Sequence, residues 1–240
     1  MQHPNIVEFM VYGPYALFSD PIMRVGGEKC SYQIPTYESM KGIISSVYWK
    51  PTFIWYIDKV RVMNRIQTEV KGMRPIKYCG GNDLAYYTYL KDCCYQVQAH
   101  FEWNLNRPEL EQDRNENKHH EIAKRMILRG GRRDIFLGTR ECQGYVEPCK
   151  FGEGKGAYDD IANIQFGTMY HGITYADEAY SEDTRNKMTV NLWSPLMKNG
   201  FIEFPKPENC PLHKKIHEMS IKPFGIGENF SEVGEFGEVN

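Results

Sequence analysis

The sequence predicts an α+β fold: a ferredoxin-like (RRM-like) N-terminal domain with a projecting β-hairpin, followed by a small antiparallel β-sheet domain. Three observations carry this expectation. Tyr95, Val97, Ala99, Phe101 and Trp103 alternate with Gln96, Gln98, His100 and Glu102, the period-2 pattern of a strand with one buried face. Met40, Ile43, Ile44 and Val47 fall at i, i+3, i+4 and i+7, the apolar stripe of a helix. Strand, helix, strand, strand, helix, strand is the order read along the first part of the chain, and that order is ferredoxin-like.

Taken in order, IVEFMVYGPYALF (6–18) reads as a strand running into a turn at Gly13-Pro14. The first helix follows Pro35, with Thr36 as its cap and Pro51 as its stop. TFIWYIDKVRVM (52–63) reads as the next strand. The basic IQTEVKGMRPIK (66–77) reads as a hairpin or projecting loop with Gly72 near its tip. After the alternating 95–103 strand, a polar stretch leads into a second amphipathic helix carrying Ile122, Ala123, Met126 and Ile127. Gly130-Gly131 supplies the left-handed residues that commonly end a helix. RRDIFLGTRECQGYV follows as a strand or hairpin. The texture changes after Pro148, so residues 1–148 and 149–240 are expected to form two domains. In the second, MYHGITYAD and KMTVNLWS read as short strands, and the Asn-Gly of KNGFIEFP signals a tight hairpin. The last fifteen or so residues are expected to be poorly ordered.

A hydrophobic content of 41% and a charged content of 25% are ordinary for a globular chain of 240 residues. No apolar run approaches the ~20 residues that span a bilayer, and the start lacks the pattern of a signal peptide. Seven scattered cysteines without a CxxC pair suggest reduced thiols, and hence a cytoplasmic location. The net charge of −2 hides clustering. Residues 59–77 hold six Lys/Arg against one Glu, and residues 118–140 hold seven against two acids, +5 in each case. The tail after Phe224 carries Glu228, Glu232, Glu235 and Glu238 without a basic residue. Such asymmetry is compatible with a polyanion held on one face, and equally with ordinary solvated faces.

The stretch NKHHEIAKRMI raises the question of chemistry. Adjacent helical side chains point about 100° apart, so His119 and His120 are poorly placed to chelate one metal ion. No other histidine pair converges, and no metal or cofactor is expected. A phosphate is a better partner, because a helix N-terminus offers free N–H groups and partial positive charge, to which Lys118 adds a full one. The same field favours a neutral His119 imidazole able to take a proton. By itself this is generic, since a surface Lys–His pair is far more often inert than catalytic. Tyr48 sits at the edge of the first helix's stripe, readable as a core-margin tyrosine or as a phenol beside a phosphate. GGRRDIFLGTREC combines glycines, which permit close backbone approach, with the forked donors of Arg132, Arg133 and Arg140. It matches neither a P-loop nor a dinucleotide-binding pattern. Lys50, Lys71 and Arg74 complete the set of candidate phosphate contacts.

VYGPYALFSDP, SYQIPTYESMKGIISSVYWKP, KHHEIAKRMILRGGRRDIFLGTRECQGYVEPC and LWSPLMKNGFIEFPKPENCP occur in this order. Together they closely resemble the CRISPR-associated RAMP-superfamily endoribonucleases of subtype I-C, the fifth Cas protein family in its catalytic, d-type form. The likeness covers nearly the whole chain. It implies a ferredoxin-like RAMP domain followed by a small β domain. It also implies metal-independent cleavage of CRISPR repeat RNA (pre-crRNA) at the base of its stem-loop. The 5′ handle would stay bound while the protein joins the other subunits of a type I-C Cascade complex. Tyr48, Lys118 and His119 match the family's catalytic residues, with the Lys–His pair immediately before the second helix. His120 lies outside the triad. DNA is a further candidate partner, and no membrane is implied. A non-catalytic subunit that only grips the crRNA handle is the alternative.

Overall fold

Alternating apolar residues build the centre of the protein as a sheet, seen in a computed structural model that describes residues 4–221. The strands are β1 (Val7–Ala16), β2 (Lys29–Cys30), β3 (Phe53–Val62), β4 (Gln67–Met73), β5 (Ala85–Trp103), β6 (Ile135–Phe136) and β7 (Gln143–Pro148). They continue with β8 (Asn163–Gln165), β9 (Met169–Thr174), β10 (Lys187–Trp193), β11 (Leu196–Lys198), β12 (Phe201–Glu203) and β13 (Leu212–Glu218). The helices are α1 (Tyr37–Val47) and α2 (Glu116–Leu128). The fold is therefore mixed α and β, strand-rich, with two α-helices among the described residues.

One sheet runs β6-β7-β1-β5-β3-β12-β11-β8, with β2 and β4 also paired to β5; a second runs β13-β10-β9. Apart from the β2–β5 pair, the ladders are antiparallel. Phe9, Val11, Trp55, Ile57, Val97, Ala99 and Phe101 supply one sheet face, and Met40, Ile44, Val47, Ala123 and Ile127 supply the helix stripes of the same core. Thr36 caps α1 by accepting Ser39 N–H. The acidic tail foreseen after Phe224 lies outside the described residues. No helix among the described residues is long and apolar enough to cross a membrane. All seven cysteines are free thiols.

Four expectations need correction. Gly13-Pro14 is not a turn, since β1 continues to Ala16. Pro14 is tolerated because β7 pairs only with Phe9–Tyr12 and leaves the missing N–H without a ladder partner. Gly13 is required there by contact, because a Cβ would lie 2.7 Å from Leu137 Cδ1 and 2.8 Å from Gln143 O. The alternating strand is longer than its apolar core, starting at Ala85. Gly72 is not at the hairpin tip but pairs with Tyr86, and the chain reverses over residues 74–84. Finally, α1 ends at Val47, four residues before Pro51.

Two local features place the functional elements. Asp92, at φ 50°, breaks the regular run of β5 and gives its carbonyl to Asn64 Nδ2 at 2.8 Å. Residues 93–103, after the break, run through the core, and residues 85–91, before it, pair with β4 as a hairpin. The Gly-rich segment after β7 folds over the other sheet face. Phe151 N–H and Gly152 N–H donate to Glu8 and Gln96, and Arg61 donates to the carbonyls of Glu153 and Gly154. Gln96, expected to face solvent, is consequently buried.

Candidate functional site

Tyr48 is the C-cap of α1. Its N–H still bonds to Ile44 O, its backbone turns extended, and Trp55 Nε1 donates to its carbonyl at 2.7 Å. These anchors direct the phenol toward α2. Across the gap, Asn115 caps α2 by accepting Lys118 N–H at 3.0 Å. Lys118 and His119 thus lie within the first turn of the helix rather than before it. At this end the Lys118 N–H is taken by the Asn115 side chain and the His119 N–H by the Asn115 carbonyl.

Tyr48 Oη and His119 Nδ1 are 2.8 Å apart. His119 Nε2 lies 2.7 Å from the main-chain carbonyl of Asp113. A carbonyl can only accept, so Nε2 carries the hydrogen and Nδ1 of the neutral ring accepts from Tyr48 O–H. The imidazole is fully buried, with Phe53, Phe101 and Trp103 rings at centroid distances of 5.3, 6.3 and 5.8 Å. Tyr48 is 5% exposed, whereas the Lys118 side chain is 50% exposed. Burial, and secondarily the charge of Asp113, push the Tyr48 phenol above its ordinary range, while Arg132 pulls it down. Tyr48 is accordingly a protonated phenol at neutral pH.

Asp113 completes the group. Its Oδ1 accepts from Lys118 Nζ at 2.5 Å and its Oδ2 from Thr52 Oγ1 at 2.9 Å. The Lys118 hydrogen bond, with that of Thr52, holds the carboxyl below its usual range. His120 points elsewhere and bonds the carbonyl of Ile6, just before β1, through Nε2. Among the described residues, no group of three His, Cys, Asp or Glu side chains is placed to hold a metal ion.

The candidate RNA contacts divide into groups. Lys50 is exposed two residues beyond Tyr48. Arg132 and Arg133 are exposed on the glycine loop, where Arg133 N–H donates to Ser46 O beside the end of α1. Gly131 is in a left-handed conformation there, and a Cβ on it would sit 3.7 Å from Val47 Cα. Arg140 lies in the β6–β7 turn, over the Phe136 ring at 5.6 Å. Lys71 and Arg74 belong to the β4–β5 hairpin, Lys71 with its ammonium 3.3 Å from the Tyr15 ring centroid. Lys71 pairs opposite Tyr87, and Trp103 packs on His119. The sixteen residues between them represent roughly 50 Å of strand. The hairpin cations and the Tyr48–His119 pair are therefore at opposite ends of β5.

The model of the Cas5d family, described as a CRISPR-associated protein, matches residues 6–205. The chain belongs to the Cas5d family. It is 30% identical to the CRISPR pre-crRNA endoribonuclease Cas5d of Mannheimia succiniciproducens over 231 residues, 84% of this chain and 95% of the relative. A Thermus thermophilus protein of the same name is 26% identical over 178 residues, 70% of this chain and 73% of that one. Among solved structures, a CRISPR-associated protein superposes with a TM-score of 0.73 at 34% identity, covering 87% of this chain and 96% of the other. A functionally uncharacterized protein from Streptococcus mutans gives 0.72 at 37% identity, with the same coverage.

Sequence reasoning missed Asp113 and Thr52 in this Cas5d chain. Asp113 lay within a run read only as polar. Its one legible signal was an acid two residues before a good N-cap, where its carboxylate can reach back to a lysine in the first turn.

Proposed function

We propose that this chain is a metal-independent endoribonuclease that cuts CRISPR repeat precursor RNA at the base of its stem-loop. It keeps the 5′ handle and serves as a subunit of a cytoplasmic type I-C Cascade complex. The substrate class is supported by the names of the curated relatives. The chemistry rests on one observation, the buried hydrogen bond from Tyr48 Oη to His119 Nδ1.

Full burial of His119 makes Tyr48 the member of the pair that meets RNA. In the proposed step, the ribose 2′-oxygen attacks the adjacent phosphorus in line. Its proton passes to Tyr48 Oη as the phenol's own proton moves to His119 Nδ1. The P–O5′ bond breaks and O5′ takes a proton from solvent, leaving a 2′,3′-cyclic phosphate and a 5′-OH. The half-exposed Lys118 ammonium faces the charge that develops on the phosphorane. Arg132 and Arg133 flank this end, and Lys50, Lys71, Arg74 and Arg140 would hold more distant phosphates.

We also read residues 1–148 as a ferredoxin-like domain and 149–240 as a small β-rich unit. The order β7-β1-β5-β3 in the central sheet supports the first assignment, and the separate β13-β10-β9 sheet supports the second. The second functional reading, a subunit that grips the handle without cutting, draws on the engagement of Lys118 by Asp113 and of both His119 nitrogens. Purified protein with repeat RNA in EDTA decides between them. Cleavage that a 2′-deoxynucleotide just 5′ of the scissile phosphate abolishes, with binding intact, supports the enzyme. Tight binding without cleavage supports the gripping subunit.

A further inference from the structure

We propose that Asp113 is a positioning residue that sets Lys118 and His119 in register with Tyr48, an assignment that rests on the reading of those three as the reacting groups. Asp113 ends the short 3-10 turn Pro108–Asp113, two residues ahead of the α2 cap. From there it makes three contacts, two to α2 and one to the start of β3. Its Oδ1 takes the Lys118 ammonium, its Oδ2 takes the hydroxyl of Thr52 next to β3, and its main-chain carbonyl takes His119 Nε2–H. Oδ2 also lies 3.5 Å from His119 Nε2. Thr52 is 1% exposed and precedes Phe53, whose ring packs on both Tyr48 and His119. One residue therefore connects the helix that carries Lys118 and His119 to the strand start against which Tyr48 is seated.

The arrangement addresses two separate needs. A lysine ammonium on its flexible four-carbon stem points in no fixed direction unless something holds it. The ammonium has three donors, so it can keep Asp113 and still meet a phosphate oxygen. His119 must present Nδ1, not Nε2, as the acceptor to Tyr48, and the Asp113 carbonyl selects that tautomer. The carboxylate then lies on the Nε2 side of the ring, opposite the nitrogen that receives the phenol's proton. The charged and titratable groups facing Asp113 are Lys118 and His119 from α2 and Tyr48 from the end of α1, with Thr52 contributing a neutral hydroxyl.

A carboxylate beside a bound phosphate opposes RNA binding through like charge, so positioning and binding move in opposite directions when it is removed. Asp113→Asn, Asp113→Ala and Asp113→Glu are made in the full chain and assayed with repeat RNA in EDTA. The expected result for Asp113→Asn is a single-turnover rate lower by on the order of 10-fold or more, with affinity unchanged or tighter. Asp113→Glu should recover part of the rate. In a Lys118→Ala background the same Asp113→Asn change should cost about 2-fold or less, because its effect runs mainly through Lys118. Wild-type cleavage by Asp113→Asn overturns the proposal, and so does an undiminished cost in the Lys118→Ala background. Parallel losses of rate, affinity and thermal midpoint mark a purely structural residue and overturn it too. Failure of the underlying reading is distinct: wild-type protein itself would bind the repeat RNA without cutting it, and the proposal would fall with it.

Discussion

The phenol of Tyr48 donates to Nδ1 of His119 across 2.8 Å, although 71 positions separate them in the chain. Both partners are buried, and the other imidazole nitrogen is occupied by a carbonyl. The hydrogen bond therefore has a defined direction, from which the first two predictions follow.

Tyr48→Phe removes the oxygen and little else. Cleavage should fall by roughly 100-fold or more, while affinity for the repeat RNA stays within about twofold. Nδ1 of His119 is left buried without a donor, so urea denaturation should show a loss of about 1–3 kcal/mol. An unchanged single-turnover rate would exclude Tyr48 from the chemistry.

His119→Ala opens a cavity among Phe53, Phe101 and Trp103, and should cost on the order of 3 kcal/mol. Its inactivity alone would then be ambiguous. His119→Gln is the sharper variant, because the amide can still donate to Asp113 O but cannot take the phenol's proton. It should stay folded, cleave about as slowly as Tyr48→Phe, and add little further loss when the two changes are combined. Additive losses in the double variant would separate the two residues into independent roles.

The two ends of β5 should respond differently to loss of an arginine. Arg74→Ala should weaken RNA binding and reduce the slope of log K against log salt by about one, without altering the rate at saturating RNA. Arg132→Ala, next to Tyr48, should lower that rate as well. A rate loss in Arg74→Ala equal to that of Arg132→Ala would contradict the separation along β5.

His171 predicts an acid sensitivity far from the site. Burial, reinforced by Lys41 and His213, pushes its imidazole down to about 4 despite the hydrogen bond to Pro205 O. The unfolded chain takes up this proton near its ordinary value and the native state does not. The contribution is therefore complete above about pH 6.5 and is lost as pH falls toward 4, by up to about 3 kcal/mol. Glu38, whose carboxyl is raised by burial, slopes the other way, so the comparison must be a difference. His171→Gln keeps a donor for Pro205 and should flatten the decline relative to wild type in denaturation curves at pH 7, 6 and 5. Parallel curves for the two proteins would refute it.

Local pattern determined a great deal about this protein. The stripe of Met40, Ile43, Ile44 and Val47, the alternation from Tyr95 to Trp103 and the Gly130-Gly131 stop are short-range signals, and each corresponds to an element of the fold. Asn199 and Gly200, at φ 50° and 84°, form the hairpin turn that their dipeptide predicts. Ordered motifs along the chain were enough to indicate the family and to nominate Tyr48, Lys118 and His119.

Only the tertiary structure decided how those residues meet. Gly13-Pro14 reads locally as a turn, yet the pairing of Gly13 with Cys93 and of Tyr15 with Lys91 keeps it in a strand. The polar face of β5 reads as solvated, yet Gly152 and Glu153, 56 and 57 positions downstream, cover Gln96. Lys118 and His119 read as an exposed pair, yet the helix turns His119 into the aromatic core and leaves Lys118 half outside. Asp113 carried only the faint signal of an acid just before a helix cap, because its partners Lys118, His119 and Thr52 come from a helix turn and a strand start remote from one another in sequence. Periodicity records which side of an element is buried. Which groups then come within hydrogen-bonding distance depends on contacts between residues remote in sequence, and those exist only once the sheet has closed against its helices.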